Sequence, residues 1–484
     1  MASRRYDLLV LGGGTGGLVS AHIAAAAGAR VALVERERTG GDCLWTGCVP
    51  SKSLIAAADV AHGIRGASRY GLAADLGPVD LDRVMDRVRR VIATIEPEDS
   101  PERLRAAGVD VIHGSGAFAG PHTLVADGRE LRFRAAIVAT GAAPALPAIA
   151  GLGGPDVVSS DTIWELAALP ARLVVLGAGP VGCELGQAFA RLGAEVALVD
   201  VAGRVLPGEH PEAAGVVSDQ LEADGVAIHT GTRAVEVRRP ADGGGRLAVE
   251  GPTGAAELAF DTLLVAVGRR ARTDGIGLEA AGVAVDGKGL PVVAGDLRTS
   301  ARHVFAVGDV TAKLPYTHVA AHHARVATVN ALFGTSRRID PVVPRVTFTR
   351  PELAHVGLTR DQARERHGDR ITHARSDLST LDRAITDGRA AGFCELVGDR
   401  RGRLGGATVV GAGAGEVIAE LTARVKHRDR IDTVSTTIHA YPTMAEGPAR
   451  AADDYLRARY ARPLPRALSR VALALRRLGP RARR

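Results

Sequence analysis

Gly41-Asp42-Cys43-Leu44-Trp45-Thr46-Gly47-Cys48-Val49-Pro50-Ser51-Lys52 holds two cysteines five positions apart, immediately before a small-residue helical stretch. A disulfide needs α-carbons within about 4.4 to 6.8 Å, a span that a tight turn or a distorted first helical turn supplies. Pro50 suits such a start, because its fixed φ and missing N–H cost nothing in the first turn. The pattern predicts a helix over Ser51 to Gly63, with Leu54, Ile55, Val60 and Ala61 on its buried face. A cysteine at that end feels the positive pole of the helix dipole, which favours thiolate. The pair therefore reads as a redox-active dithiol. Two alternatives stand beside it, an inert buried pair and a metal pair, and for the latter no second CxxC pair or nearby His supplies the remaining ligands. No resident metal is expected.

On the N-terminal side, Tyr6 to Gly12 is an apolar run of the kind that forms a buried parallel strand. Gly12, Gly14 and Gly17 follow as GxGxxG, opening a helix from Leu18 to Ala27, and the next strand, Arg30 to Val34, ends in Glu35, 23 residues after Gly12. This is the spacing of a dinucleotide-binding βαβ unit. The glycines admit the pyrophosphate to the helix N-terminus, and the acid accepts from a ribose hydroxyl. A lone GxGxxG is weak evidence, but here strand, helix and acid agree.

Beyond the cysteine stretch, residues 80–107 read as a charged connecting helix, and Val109 to Phe133 alternates strand and turn signals. Ala136 to Gly141 is a strand ending in Ala139-Thr140-Gly141, and Pro144 and Pro147 mark a crossover into a second unit. There Leu173 to Leu176 leads into Gly177, Gly179 and Gly182, a second GxGxxG. Its helix runs to Leu192, and the strand Val196 to Val199 ends in Asp200. Two such units imply two dinucleotides. Asp200 can accept from both adenosine-ribose hydroxyls, and Val201 and Ala202 offer no cation for a 2′-phosphate, so NAD(H) is preferred over NADP(H). Leu263 to Gly268 closes this unit. His303 to Asp309 reads as a buried strand ending at Gly308-Asp309, where a carboxylate could accept from a polyol. After Gly334 the texture changes to alternating strands and helices, an α+β pattern, while Cys183 and Cys394 read as inert core residues.

The 484 residues allow about three domains on a prior of roughly 150 each. With 46% hydrophobic residues and a mean hydropathy of +0.06 the chain reads as soluble and globular. Four cysteines argue against a secreted disulfide scaffold. A strand beginning at Tyr6 leaves no room for a signal peptide, and no apolar run of about 18 residues marks a span, so a cytoplasmic location is expected. The pI near 9.6 belongs to the tail: residues 461–484 carry eight Arg and no acid, against a formal net charge of +7. The rest is near neutral, which gives no case for nucleic-acid binding. In that tail Leu464, Leu468, Val471, Leu475 and Leu478 recur at helical spacing, with Arg466, Arg470 and Arg477 on other faces. A basic amphipathic helix reads as a peripheral contact at the inner membrane surface; a solubilising tail or a helix packed on its own dimer are the alternatives.

Together GGDCLWTGCVPSK at 40–52, two GxGxxG units, ATG at 139–141, GD at 308–309 and YPTMAEG at 441–447 resemble the class I pyridine nucleotide-disulfide oxidoreductases. That family includes dihydrolipoamide dehydrogenase, glutathione reductase and mercuric reductase. The resemblance spans residue 5 to about residue 460. It implies an α/β fold of two Rossmann-type domains and a C-terminal α+β dimerisation domain: FAD binding at 1–145 and 270–335, NAD(P) binding at 146–269, dimerisation at 336–460 and a basic tail at 461–484. It implies a homodimer whose active sites combine both subunits. Gly12, Gly14, Gly17 and Glu35 would hold the FAD adenosine and pyrophosphate, with Gly41, Asp42, Lys52, Ala139, Thr140, Gly141 and Gly308 around it and Asp309 on the ribityl chain. Gly177, Gly179, Gly182, Asp200 and Gly268 would serve the nicotinamide dinucleotide. Cys48 would face the flavin, Cys43 would be the interchange thiol, and Lys52 with Glu184 would be the ion pair beside the flavin.

The departure is at the C-terminal motif. Where dihydrolipoamide dehydrogenase and glutathione reductase have His-Pro, with a Glu five residues on, this chain has Tyr441-Pro442 and keeps Glu446. A phenol with an ordinary pKa of about 10 does not cycle protons at neutral pH as imidazole does. His439, two residues earlier, is expected on the same side as Tyr441 as a weak substitute. Tyrosine followed by TMxEG is similar to mercuric reductase. Neither that enzyme's metal-binding N-terminal domain nor its terminal vicinal cysteines appear here, the last cysteine being Cys394. The expectation is electron flow from NADH through FAD and Cys43/Cys48 to a small acceptor: Hg(II), a quinone or another electrophile. A dihydrolipoamide dehydrogenase and a non-enzymatic, membrane-recruited redox sensor are the alternatives.

Overall fold

In a computed structural model the described residues are 5–240 and 244–477. They divide into two units, one holding the residues up to Val205 together with Glu222–Pro341, the other Leu206–Leu221 together with the residues from Val342 on.

The first unit begins with β1 (Tyr6–Leu11), α1 (Thr15–Ala26) and β2 (Val31–Glu35). Leu8, Leu9 and Val10 are wholly buried, because helices cover both faces of a parallel sheet. Two helices then carry the cysteines: α2 (Gly41–Trp45) and α3 (Cys48–Arg65). Helix α3 starts three residues before the expected Ser51, which brings Cys48 into its first turn. Leu54, Ala58 and Ala61 form its buried stripe; Val60 lies off that stripe and is 63% exposed, against expectation. The charged stretch forms α4 (Leu81–Asp99) and α5 (Pro101–Ala106), and Leu81, Met85 and Val88 bury one side of α4.

Strands β3 (Val109–His113), β4 (Gly116–Gly120), β5 (Thr123–Ala126) and β6 (Arg129–Val138) complete the sheet. The second half of β6 pairs in parallel with β1, while its first half turns antiparallel to β5. After β7 (Ala142–Pro144) comes a second parallel sheet. Its elements are β8 (Val157–Ser159), β9 (Arg172–Leu176), α6 (Pro180–Leu192) and β10 (Glu195–Val199); α7 (Pro211–Ala223) falls largely in the C-terminal unit; β11 (Val226–His229) follows. A three-stranded antiparallel ribbon of β12 (Arg233–Arg238), β13 (Gly245–Gly251) and β14 (Gly254–Phe260) precedes β15 (Thr262–Val265), giving the parallel order β11-β10-β9-β15-β8. The return crossover β16 (Arg269–Ala271) pairs antiparallel with β7, and β17 (Val304–Ala306) joins the first sheet beside β6. The strand expected over His303 to Asp309 is shorter than that, since Gly308–Thr311 winds into a 3-10 turn ahead of α8 (Thr317–Phe333).

The second unit centres on one antiparallel sheet of order β18-β19-β22-β21-β20. Its strands and helices in chain order are β18 (Pro344–Thr347), β19 (Glu352–Gly357), α9 (Arg360–His367), β20 (Thr372–Asp377), α10 (Asp382–Thr386), β21 (Phe393–Gly398), β22 (Leu404–Gly411), α11 (Ala414–His427), α12 (Ile431–Thr436) and α13 (Glu446–Tyr460). Val356, Leu396, Val409 and Leu421 build the core between sheet and helices. Helix α14 (Pro463–Arg477) follows with no buried residue; Leu478 of the expected stripe lies outside the described residues. Among the described residues no helix is long and apolar enough to cross a membrane.

Candidate active site

The two GxGxxG loops divide their labour in the same way. Gly12 turns with φ +107°, and a Cβ there would sit 2.4 Å from the Ala139 carbonyl oxygen; a Cβ on Gly17 would sit 1.8 Å from the Gly12 carbonyl. Gly177 (φ +113°) and Gly182 repeat this against Ala266 and Gly177, at 2.5 and 1.9 Å. The middle glycines differ. Around Gly179 nothing lies within 4 Å of a Cβ, and Gly14 would meet Gly41 alone, at 3.7 Å. First and third glycines are thus consumed by strand–helix packing, and the second leaves the backbone open to a pyrophosphate. The strand-end carboxylates are oriented by backbone amides. Glu35 accepts from Gly13 N at 2.5 Å and Glu37 N at 2.7 Å, and Asp200 from Ala178 N at 2.6 Å and Ala202 N at 2.7 Å. Open loop amides beside a fixed acceptor are the donor and acceptor set that a dinucleotide needs, so both cradles fit one.

The cysteine stretch is seated directly on the first cradle. A Cβ on Gly41 (φ +59°) would fall 2.6 Å from Gly14 Cα, so only glycine permits this approach. Cys43 is half-buried in α2, and Cys48 is exposed as the first residue of α3. Both are thiols in this structure. A hydrogen bond from Cys43 is the main reason the Cys48 thiol falls to about 6; Thr317 and the Lys52 ammonium assist, against the desolvation of the sulfur by its neighbours. The same bond, with burial, pushes the Cys43 thiol up. Thr317 Oγ1, at the head of α8, lies 3.2 Å from Cys48 Sγ. Lys52 Nζ donates to Glu184 Oε2 at 2.7 Å, joining α3 to α6.

Several groups around this loop carried no local sequence signal. Asp42 receives Arg269 and, at 3.1 Å, Arg272 Nη1. Arg269 opens β16 and Arg272 follows it, and both also face Asp161, at 3.8 and 3.6 Å. Arg269 Nε stands 3.9 Å from Asp309. Burial raises the Asp309 and Asp161 carboxyls above the usual range, and the two arginines oppose that rise. Trp164 Nε1 donates to the Thr46 carbonyl at 2.9 Å, and Thr140 Oγ1 donates to the Arg272 carbonyl at 2.7 Å. The cysteine loop is therefore held by the return crossover, through Arg269 and Arg272, and by Trp164, while Thr140 of the first crossover steadies Arg272. Gly141 and Gly268 lie at those crossovers, each with positive φ, and Gly308 opens the turn that carries Asp309.

Tyr441 and Glu446 belong to the C-terminal unit. Tyr441 is 68% exposed and gives its hydroxyl proton to Asp382 Oδ2 at 2.7 Å, while Glu446 accepts from Thr443 N at 3.5 Å. His439 does not share the setting of Tyr441: its side chain is buried and its Nε2 lies 2.9 Å from Glu420 Oε2. Among the described residues no cluster of three or more His, Cys, Asp or Glu could hold a metal ion.

Comparison with known proteins gives the family. The sequence model described as pyridine nucleotide-disulphide oxidoreductase matches residues 6–324, and the dimerisation domain of the same family matches residues 343–452. A mercuric reductase of Streptomyces lividans is 38% identical over 93% of this chain and 96% of its own length. A dihydrolipoyl dehydrogenase of Thermus scotoductus is 37% identical over 93% and 97%. Among solved structures, the HOCl-induced flavoprotein disulfide reductase RclA from Escherichia coli superposes with a TM-score of 0.83 at 28% identity, covering 93% of this chain and 99% of that one. Motif geometry, domain content and relatives converge: the chain belongs to the pyridine nucleotide-disulphide oxidoreductases, FAD-dependent enzymes with a dimerisation domain.

Proposed function

We propose that this chain is a mercuric-reductase-like NADH:acceptor oxidoreductase that works through Cys43 and Cys48. The contact of Gly41 with Gly14 carries the proposal, because it seats the dithiol on the first cradle. Gly12, Gly14, Gly17 and Glu35 would hold the pyrophosphate and adenosine of FAD, and Asp309 its ribityl chain. FAD, when bound, supplies the relay between a two-electron hydride donor and a disulfide. The chain's own residues set the thiol chemistry. Lys52 and the Cys43 hydrogen bond keep Cys48 as thiolate near neutrality, and Cys43, the more basic sulfur, meets the acceptor. Two electrons and one proton open the disulfide to a Cys43 thiol and a Cys48 thiolate; when it re-forms, the two electrons pass to one Hg(II) or quinone, or to two Cu(II) ions, and the Cys43 proton passes to solvent or to the reduced quinone.

The dinucleotide preference proposed is NADH over NADPH. Asp200 occupies the ribose position, clamped by two backbone amides, and a 2′-phosphate would meet its negative charge. For the acceptor, the chemistry of Tyr441 favours a metal cation or another small electrophile over a dithiol. Its phenol is raised above its ordinary pKa by the hydrogen bond to Asp382, so it cannot cycle protons at pH 7. Relatives named mercuric reductase and a Cu(II) complex of RclA support a soft or redox-active metal ion as the acceptor class. Dihydrolipoamide turnover is the second reading, favoured by the dihydrolipoyl dehydrogenases among the relatives. Anaerobic NADH titration followed by Hg(II), Cu(II), quinone and lipoamide, read at the NADH band, tests it. Turnover on lipoamide alone would overturn the assignment.

The tail adds a location. Helix α14 exposes Leu464, Leu468, Val471 and Leu475, all more than half accessible, in a segment rich in Arg and without acid. Peripheral contact with an anionic bilayer follows from that pairing of apolar stripe and positive charge. Co-sedimentation with phosphatidylglycerol vesicles should be lost on truncation after Tyr460; unchanged binding would dispose of it.

A further inference from the structure

The turn between β21 and β22 reads Asp399-Arg400-Arg401-Gly402-Arg403. Its one carboxylate is spent on the turn itself, since Asp399 Oδ1 accepts from Arg401 N at 2.8 Å and from Arg403 N at 3.1 Å. The backbone is pinned to its neighbours as well. Thr372 Oγ1 donates to the Asp399 carbonyl at 2.8 Å, Ile431 N to the Gly402 carbonyl at 2.8 Å, and Arg430 Nη1 to the Arg401 carbonyl at 3.0 Å. Arg400, Arg401 and Arg403 are thus exposed on a fixed turn. Beside them stand His367 at the end of α9, Arg370 just beyond it, and Arg428, the C-cap residue of α11. These residues line an open cavity of about 420 Å³, with five arginines around a single carboxylate.

Elsewhere in this unit arginines are paired: Arg345, Arg360, Arg375, Arg424 and Arg450 each meet a carboxylate. In the cavity only Arg428 does, 3.5 Å from Asp399 Oδ2. Among the described residues the guanidinium groups of Arg370, Arg400, Arg401 and Arg403 make no ion pair or hydrogen bond. His367 and Arg428 answer the negative poles of α9 and α11, but the turn arginines answer no helix end. Like charges held this close repel, and an anion between them removes the cost. Arginine supplies a planar fork of donors that matches two phosphate oxygens at once. Every lining residue is Arg, His or Asp, so the cavity offers no aromatic face on which a base would stack. We propose that this cavity binds a soluble oligophosphate, two or more linked phosphates held by the guanidinium forks of Arg370, Arg400, Arg401, Arg403 and Arg428. All of its residues belong to the C-terminal unit, whereas both glycine cradles belong to the other.

Calorimetric titration of the FAD-loaded full chain with sodium tripolyphosphate tests this, at about 150 mM NaCl to screen diffuse attraction and with NAD+ saturating the second cradle. One equivalent per chain should bind. Arg400→Ala/Arg401→Ala should weaken binding by about tenfold or more, the scale of lost charge-assisted hydrogen bonds, and Arg370→Ala, on a separate segment, should weaken it too. These side chains are exposed, so the variants should melt as wild type does. Arg400→Lys/Arg401→Lys keeps the charge without the fork and should restore only part of the affinity. Truncation after Tyr460, which removes the other arginine-rich stretch, should change nothing. The proposal is overturned by a wild type that takes up no tripolyphosphate, by binding that the alanine pair retains or the truncation abolishes, and by full restoration with lysine. Phosphatidylglycerol vesicles give the last outcome. If the truncated chain co-sediments with them, loses this on Arg400→Ala/Arg401→Ala and takes up no tripolyphosphate, the cavity serves a lipid headgroup and the soluble ligand is refuted.

Discussion

Lys52 and Glu184 meet at 2.7 Å between the helix that begins at Cys48 and the helix that begins at the second GxGxxG. Farther along the same two helices Arg191 pairs with Asp59 at 3.0 Å, and with the buried Asp224 at 2.7 Å. The helix that begins at Cys48 and the helix of the second GxGxxG are thus stapled twice by ion pairs, each with at least one nearly buried member. The first staple acts on the chemistry. The Lys52 charge lowers the Cys48 thiol, and the Glu184 charge raises it. Lys52→Met should therefore raise the pH at which the two-electron-reduced enzyme loses the long-wavelength absorbance of thiolate beside flavin, and Glu184→Gln should lower it. Shifts of the same sign would refute this electrostatic account.

The wild-type pH profile follows from the same site. The Cys43 hydrogen bond, with Thr317 and the Lys52 charge, holds the Cys48 thiol down to about 6, well below an ordinary thiol, so it is expected to be largely thiolate at neutral pH. The long-wavelength absorbance should be present at neutral pH and lost on acidification below about 6, whereas an unshifted thiol would lose it already near 8.5. Cys48→Ser should remove it at every pH and cut disulfide-dependent turnover by at least about a hundredfold.

Much of this site was legible in the chain itself because its signals are local. Gly12, Gly14 and Gly17 with Glu35, and Gly177, Gly179 and Gly182 with Asp200, each fit within one βαβ unit, where spacing encodes the strand–turn–helix path. Arg269, Arg272, Asp161 and Thr317 carry no such signal. Arg272 lies 230 positions from Asp42, and Thr317 lies 269 from Cys48; they arrive by way of the crossovers β7 and β16 and the packing of α8, which no window of sequence contains. Val60 failed differently. In an alanine-rich helix the apolar residues do not mark one face, and the stripe through Leu54, Ala58 and Ala61 leaves Val60 in solvent.

The remaining cysteines are expected to be silent. Cys183 and Cys394 are wholly buried; Cys183 donates to the Ala178 carbonyl at 3.3 Å, and burial pushes the Cys394 thiol far up. In a Cys43→Ser/Cys48→Ser variant, Ellman's reagent should find no reactive thiol in the native protein, and two after unfolding, from the four cysteines of the chain. A fast-reacting equivalent in the native variant would mean that a core cysteine is accessible.

The division of labour within each glycine loop separates binding from folding. At Gly179 a Cβ would meet nothing within 4 Å, whereas at Gly182 it would fall 1.9 Å from the Gly177 carbonyl. Gly179→Ala should therefore fold with Tm unchanged and lose in KM for NADH, by roughly tenfold if a methyl keeps the pyrophosphate off the backbone. Gly182→Ala must push α6 away from β9 and should lower Tm by roughly 5 °C or more, with NADH affinity falling as a consequence. Thermal melts and NADH titrations on the two variants distinguish the cases. If Gly179→Ala unfolds, or Gly182→Ala melts like wild type, the middle glycine is not reserved for the ligand and the cradle assignment at residues 177–182 fails with it.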